Sequence, residues 1–236
     1  MIRLPRIIGH RGAAAVAPEN TLQSFRAAAN AGIDWVEFDV RLSADHVPVV
    51  VHDATLARTA GIEARIDQTA AADIASLSRA HPTPTLAETM ALLGELGLGA
   101  NVEIKAVRAR RAVAEEVVKT LDAVRREHSI PMLVSSFSSA ILKNMREIAD
   151  YLPRGLLLPR GTNDAVGHAR DLGCVSIHED HRRLTPRQIA EWKAADFLVV
   201  CYTVNDPARA NLLFDWGVDS VISDAPGVLA EAVDRG

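Results

Sequence analysis

Short apolar runs recur along the chain at the spacing of a strand followed by a helix. Runs of this length and character are typical of strands buried in a parallel sheet. Eight strands with helices between them predict an α/β protein with the (β/α)₈ or TIM-barrel fold. The runs are RIIGH (6–10), WVEFDV (35–40), ANVEIK (100–105), MLVSSF (132–137), RGLLL (154–158), CVSIH (174–178), FLVVCYTV (197–204) and DSVISD (219–224).

The stretches between these runs are amphipathic and carry helix start and stop signals. Gly32 closes the first helix, and Thr185 followed by Pro186 opens the last of those predicted. The predicted helices cover residues 21–31, 85–96, 108–128, 138–150 and 185–195.

One segment breaks the alternation of strands and helices. The run PVVVHD (48–53) follows WVEFDVRL (35–42), the second strand with its two next residues, after only the five residues SADHV, and a parallel crossover needs about a dozen residues. The two strands are therefore expected to form an antiparallel hairpin, whose return strand brings His52 and Asp53 to the barrel mouth. Residues 54–84, rich in Ala, are expected to be a small, loosely ordered insertion. We predict one barrel domain over residues 1–236.

Composition narrows the class of protein. Hydrophobic residues make up 48% of the chain and the net charge is −4, which gives no general attraction to nucleic acid or anionic lipid. Cys174 and Cys201 lie inside apolar runs, so neither a disulfide framework nor a zinc site is expected. The start of the chain lacks a signal-peptide pattern, and no run reaches the roughly 18 apolar residues of a membrane helix. The sequence thus predicts a cytoplasmic protein without stable membrane insertion.

Two neighbouring strands carry inward-facing charges. Alternation places Glu37 and Asp39 on one face of WVEFDV, about 7 Å apart along the backbone. Such a pair is costly to bury unless a divalent cation or a salt bridge to an arginine neutralises it. Glu103 and Lys105 repeat the arrangement in NVEIK. If both strands belong to one barrel, Glu37, Asp39 and Glu103 can share a metal ion, with Lys105 placed to bind an anion.

Two histidines are expected at the same end of the barrel. His10 and Arg11 follow the first apolar run, and Gly12 allows a close turn past a ligand. His52 returns to the mouth on the hairpin. Because histidine titrates near neutrality, His10 and His52 can act as acid and base in one reaction, and Arg11 suits a phosphate group.

An ordered set of motifs, spanning nearly the whole chain, resembles the glycerophosphodiester phosphodiesterase family, in its bacterial cytosolic form. The motifs are HRG (10–12), PENT (18–21), VEFDV (36–40), VPVVVHD (47–53), PTL (84–86), NVEIK (101–105), SSF (135–137), YTVND (202–206) and GVDSVISDAP (217–226). The resemblance implies a metal-dependent enzyme that hydrolyses glycerophosphodiesters to sn-glycerol 3-phosphate and an alcohol.

The resemblance also implies roles for individual residues. It places one divalent metal ion (Mg²⁺ or Ca²⁺, with Mn²⁺ possible) on Glu37, Asp39 and Glu103. It makes His10 and His52 the acid and base, and it gives phosphate contacts to Arg11 and Lys105. The family usually has Trp at the position of Tyr202 and Thr at that of Ser223.

The positions of several further residues predict their roles. Phe137 and Tyr202, at strand ends, are expected to contact the substrate. Glu19 and Asn20 are expected to support the site, by capping the first helix and by hydrogen bonding. His178 is expected to line the mouth but not to bind metal, since its spacing from His181 gives no defined ligand geometry.

Other functions stay open at this point. A phospholipase-type barrel, acting as a lysophospholipase D or on phosphoinositides, would need an apolar surface or a basic rim for the membrane. A sphingomyelinase-like member would be secreted, and a catalytically silent barrel would bind phosphorylated ligands without turnover. The headgroup alcohol, the metal, the order of the two histidines and the oligomeric state do not follow from the sequence.

Overall fold

The eight predicted runs form the closed parallel barrel of the computed structural model, which describes residues 2–105 and 109–233. The strands of the described residues are β1 (Ile7–His10), β2 (Trp35–Leu42), β3 (Pro48–Val50), β4 (Thr55–Leu56), β5 (Ile62–Arg65), β6 (Gly99–Ile104), β7 (Met132–Ser136), β8 (Arg154–Leu157), β9 (Ser176–Asp180), β10 (Leu198–Tyr202) and β11 (Ser220–Ser223). The barrel runs β1-β2-β6-β7-β8-β9-β10-β11, and β11 pairs with β1 to close it. The predicted TIM-barrel fold is confirmed.

Helices follow the barrel strands and pack around them. The described helices are α1 (Leu22–Asn30), α2 (Ala57–Ala60), α3 (Ala71–Leu77), α4 (Leu86–Leu96), α5 (Arg110–Glu127), α6 (Ser139–Ile148), α7 (Ala165–Asp171), α8 (Pro186–Ala194), α9 (Pro207–Asp215) and α10 (Pro226–Ala232). The five predicted helices are present within a few residues of their expected bounds. The expected start at Arg108 lies outside the described residues, and α5 begins at Arg110.

Side chains of the strands divide between two environments. Ile8, Trp35, Leu133, Val200 and Ile222 form one buried cluster. The residues that alternate with them along the strands pack instead against the helices, in two larger clusters. Alternation therefore puts the first cluster inside the barrel.

The hairpin after β2 has the predicted antiparallel pairing, with Val40 opposite Val50. The expectation of a loosely ordered insertion after it is wrong. The segment contains the paired strands β4 and β5, helices α2 and α3, and a 3₁₀ turn at Ile66–Gln68. Leu56, Ile66 and Ile74 are buried against Val49 and Val51, so three well-spaced apolar residues order a segment that its Ala-rich composition made look loose.

Candidate active site

Three buried carboxylates meet at the carboxyl ends of β2 and β6. Asp39 lies opposite Glu103 in the strand pairing, and Glu37 lies one inward position below Asp39. One oxygen from each of the three lies within 4.8 Å of the others. The side chains are 3%, 1% and 8% exposed for Glu37, Asp39 and Glu103. The sequence prediction that alternation on neighbouring strands groups these residues agrees with this geometry.

The charges of this carboxylate cluster are only partly compensated by protein groups. The Lys105 ammonium lies 2.7 Å from Asp39 Oδ1 and 2.5 Å from Glu103 Oε1. Burial opposes ionisation of Asp39, but Lys105 and Arg11 outweigh it and lower the pKa of that carboxyl. Burial and the charge of Asp39 raise the pKa of Glu37. Glu37 Oε1 is buried without a hydrogen-bond partner among the described residues. Hard oxygen donors with uncompensated charge fit a divalent cation.

His10 lies at the end of β1, beside the carboxylate cluster. Its Nδ1 is 2.6 Å from Asp224 Oδ1 and its Nε2 is 3.8 Å from Glu37 Oε2. Asn205 Nδ2 donates to the other oxygen of Asp224 at 2.9 Å. Burial lowers the pKa of His10. The hydrogen bond to Asp224 and the charge of Glu37 raise this pKa by more than burial lowers it, so the net shift is upward. The ring is fixed with Nε2 toward the carboxylates.

His52 reaches the site on the chain that follows β3, as the hairpin predicts. Its Nδ1 is 2.7 Å from Asp53 Oδ1, and Arg41 Nε donates to its backbone carbonyl at 2.8 Å. Burial is the largest cause of a net downward shift in the pKa of His52. Each of the two histidines thus has Nδ1 held by an aspartate, which leaves Nε2 for proton transfer.

A chain of ion pairs joins Arg11 to His52. Arg11 Nη1 donates to Glu19 Oε1 at 2.7 Å, and Arg58 contacts both oxygens of Glu19 at 2.6 and 2.7 Å. Arg58 Nε also donates to Asp53 Oδ2 at 2.6 Å. Arg58, from the insertion helix α2, therefore connects the acid that holds Arg11 to the acid that holds His52.

The turn after β1 brings Arg11 against the cluster. Arg11 Nε lies 3.3 Å from Asp39 Oδ2, and Asn20 Nδ2 donates to the same oxygen at 2.8 Å. Gly12 has φ +90° and packs against Ser24 so closely that any side chain would collide. Asn20 supports the site as expected, but Thr21 is the cap of α1, and its hydroxyl accepts from Ser24 N.

Two aromatic rings border a small cavity next to the cluster. Phe137 and Tyr202 make an edge-to-face contact, with ring centroids 6.2 Å apart. The cavity of about 40 Å³ between them is also lined by His10, Glu37 and Glu103. The structure thus brings all nine predicted site residues to the carboxyl end of the barrel.

Comparison with known proteins settles the family. The family model described as "Glycerophosphoryl diester phosphodiesterase family" matches residues 10–228, most of the chain. The chain belongs to this family.

Curated and structural relatives agree with that assignment. A glycerophosphodiester phosphodiesterase from Caldanaerobacter subterraneus subsp. tengcongensis is 28% identical over 240 residues, covering 98% of each chain. A phosphodiesterase from Oleispira antarctica was solved in complex with the product sn-glycerol 3-phosphate. It is 30% identical with a TM-score of 0.91, and the match covers 97% of this chain and 96% of the relative. The glycerophosphodiester phosphodiesterase of Thermotoga maritima is 25% identical with a TM-score of 0.82, covering 98% of this chain and 99% of its own. These findings identify a phosphoric diester hydrolase of the glycerophosphodiester class.

His178 does not line the mouth of this family member, contrary to expectation. It is fully buried inside the barrel, with Nε2 2.8 Å from Ser176 Oγ and Nδ1 without a partner among the described residues. The apolar run CVSIH suggested a strand end at His178, but β9 continues to Asp180. His178 therefore lies one inward position below the rim. His181 instead contacts Arg209.

Asp224, Asn205 and Arg58 were missed by sequence reasoning. Asp224 directly follows β11, so the rule that placed His10 at a strand end would have found it. Arg58 carries no such signal, because its partners Glu19 and Asp53 are separated from it by 39 and by five positions in the sequence. Among the described helices, none has the length and apolar character to cross a membrane.

Proposed function

We propose that this family member hydrolyses glycerophosphodiesters to sn-glycerol 3-phosphate and an alcohol in a metal-dependent reaction. In this proposal Glu37, Asp39 and Glu103 hold one divalent cation, and His10 and His52 transfer the protons. The observation that carries it is the uncompensated carboxylate cluster beside histidines that are each oriented by an aspartate. The sn-glycerol 3-phosphate bound to the Oleispira antarctica relative supports the same product here.

The residues around the cluster supply binding and charge. A bound Mg²⁺, Ca²⁺ or Mn²⁺ would act as a Lewis acid on the phosphodiester, and oxygen ligands suit all three. Arg11 and Lys105, which already contact Asp39, offset the charge that grows on the phosphate in the transition state. Phe137 and Tyr202 enclose the small cavity, which suits the glycerol end of the substrate.

The two histidines divide the proton transfers. One takes a proton from the attacking hydroxyl, and the other gives a proton to the departing alcohol. Asp224 and Asp53 fix the orientation and tautomer of the rings, because the Oδ1 of each accepts a hydrogen bond from a histidine Nδ1. Arg58 and Glu19 keep Asp53 and Arg11 in place through the ion-pair chain.

A barrel that only binds phosphorylated ligands is the alternative from a different class. The two are separated by incubating the protein with glycerophosphocholine and measuring sn-glycerol 3-phosphate with a coupled dehydrogenase. We expect turnover by the wild type and a large loss in His10→Ala and His52→Ala. Binding of sn-glycerol 3-phosphate without any turnover would support the silent barrel instead.

A further inference from the structure

A second, larger cavity lies beside the proposed site. It has a volume of about 490 Å³ and lies between the β2–β3 hairpin, the insertion and the start of α5. Among the described residues, its charged lining comprises Arg41, Arg65, Arg110 and Asp67, and His46 also lines it. None of these residues has a role in the mechanism above.

Among its described residues, the lining carries more basic than acidic side chains. Arg65 is paired with Asp67 through two contacts of 2.9 and 2.8 Å. Arg110 has no carboxylate within ion-pair distance among the described residues, and neither does Arg41, whose Nε binds the backbone carbonyl of His52. Among the described lining residues there are thus three arginines and one acid; Asp39, Asp53 and Glu103 act on Arg41 from outside the lining. The excess of guanidinium groups in the lining favours an anionic occupant.

The cavity lies next to the chain segment that carries His52. Arg41 joins the cavity lining to the backbone of His52, and the lining residue Ala54 is two positions along the chain from His52. On the His10 side, the cavity between Phe137 and Tyr202 is only about 40 Å³. The small cavity has no room for a large leaving alcohol, whereas the larger cavity on the His52 side can hold one.

A smaller recess of about 220 Å³ also borders His52. Its charged side chains, Glu19 and Arg58, are already paired with each other at 2.6 Å. Because these two charges neutralise each other, the recess has little net charge with which to bind an ionic group of the substrate, unlike the arginine-lined cavity.

We propose that the arginine-lined cavity binds the leaving alcohol of the diester and selects alcohols that carry a second anionic group, a phosphate or a carboxylate. The inference rests on the proposed function and narrows its substrate class. Guanidinium groups bind phosphate and carboxylate through paired N–H donors, and several such contacts on one substituent add to the affinity.

Matched substrate pairs test the selection directly. Glycerophosphoinositol 4-phosphate differs from glycerophosphoinositol by one phosphate, and glycerophosphoserine differs from glycerophosphoethanolamine by one carboxylate. If each arginine contributes a screened interaction of the usual size, kcat/KM is roughly tenfold higher for the more anionic member of a pair. The preference should shrink in high salt. A preference in either pair supports the proposal and identifies the group selected, whereas ratios near one in both pairs overturn it.

Charge variants connect the preference to this cavity. Arg65→Gln and Arg110→Gln should each lower the ratio within the preferred pair about two- to threefold, and Asp67→Asn should raise it. Arg111→Gln is the matched control, because Arg111 is the next residue of α5 but pairs with Glu115 and Glu147 away from the cavity. An unchanged ratio in both arginine variants would contradict the assignment.

Failure of the inference is distinguishable from failure of the proposed function. If none of the four diesters is hydrolysed and glycerophosphocholine is also inert, the proposed hydrolysis is wrong and the inference falls with it. If all are hydrolysed with equal kcat/KM, the hydrolysis stands and only the anion selection is wrong.

Discussion

The buried His178 should make the stability of the fold sensitive to mild acid. Its ring lies fully inside the barrel, and burial lowers its pKa from 6.5 to about 3. The folded state therefore keeps His178 neutral while the unfolded chain takes up a proton below pH 6.5. Because the folded pKa is depressed, stability contributed by the neutral ring is present above pH 6.5 and is lost as the pH falls toward 3.

The size of this effect follows from the pKa difference. One pKa unit corresponds to about 1.36 kcal/mol. A pH of 5 is about 1.5 units below the pKa of the histidine in the unfolded chain. The free energy of unfolding is therefore lower by about 2 kcal/mol at pH 5 than at pH 7. For a marginally stable domain, about 2 kcal/mol is a large share of the free energy of unfolding.

The assay compares urea unfolding of the wild type and His178→Gln at pH 7 and pH 5. The other titrating groups are common to both proteins, so only the difference between their pH dependences is read. Between pH 7 and pH 5, we expect the free energy of unfolding to fall by about 2 kcal/mol more in the wild type than in the variant. This difference does not depend on how much the substitution changes stability at pH 7. Equal losses in both proteins would refute the reasoning and would mean that the ring is hydrated or charged in the folded state.

Further predictions concern the site itself. His10→Ala and His52→Ala should each lower kcat by roughly 10² to 10⁴, measured with glycerophosphocholine, whereas folded His178→Gln should stay near normal; near-normal kcat in either alanine variant would remove that residue from proton transfer. Arg58→Met should lower kcat/KM about tenfold or more by releasing both ion pairs, and Arg58→Lys should recover part of the loss; no loss in Arg58→Met would show that the ion-pair chain is not needed. Without metal, Glu37→Gln should raise the free energy of unfolding by about 1 kcal/mol, because it removes the cost of burying this carboxyl beside Asp39, and a lower value would contradict the poor charge compensation described for the cluster. A 2-deoxy analogue of glycerophosphocholine that binds comparably should turn over several orders of magnitude more slowly if the C2 hydroxyl attacks first; equal turnover would mean that water attacks directly.

The strand pattern predicted the fold and most of the site for a physical reason. Buried parallel strands must be apolar, so charged residues such as Glu37 and Glu103 stand out where alternation turns them inward. Strand ends in a barrel converge at one face, which is why His10 could be placed beside them. The short link after β2 required a hairpin, and this placed His52.

The wrong and missed predictions share another cause. They concern features that depend on tertiary packing, which local sequence patterns do not predict. The order of the insertion comes from Leu56, Ile66 and Ile74, which meet only after folding. The depth of His178 depends on where β9 ends. The partners of Arg58 depend on how α2 lies over the mouth, which composition does not determine.

The central claim is that the buried carboxylate cluster holds a divalent ion required for diester hydrolysis. Its most direct test is metal-depleted protein with add-back of Mg²⁺, Ca²⁺ or Mn²⁺, measuring glycerophosphocholine turnover and the melting temperature together. The account predicts no turnover without metal, and restored turnover with a raised melting temperature for at least one ion. Neither should be restored in Asp39→Asn or Glu103→Gln. Full activity of the wild type after exhaustive metal removal would contradict the claim.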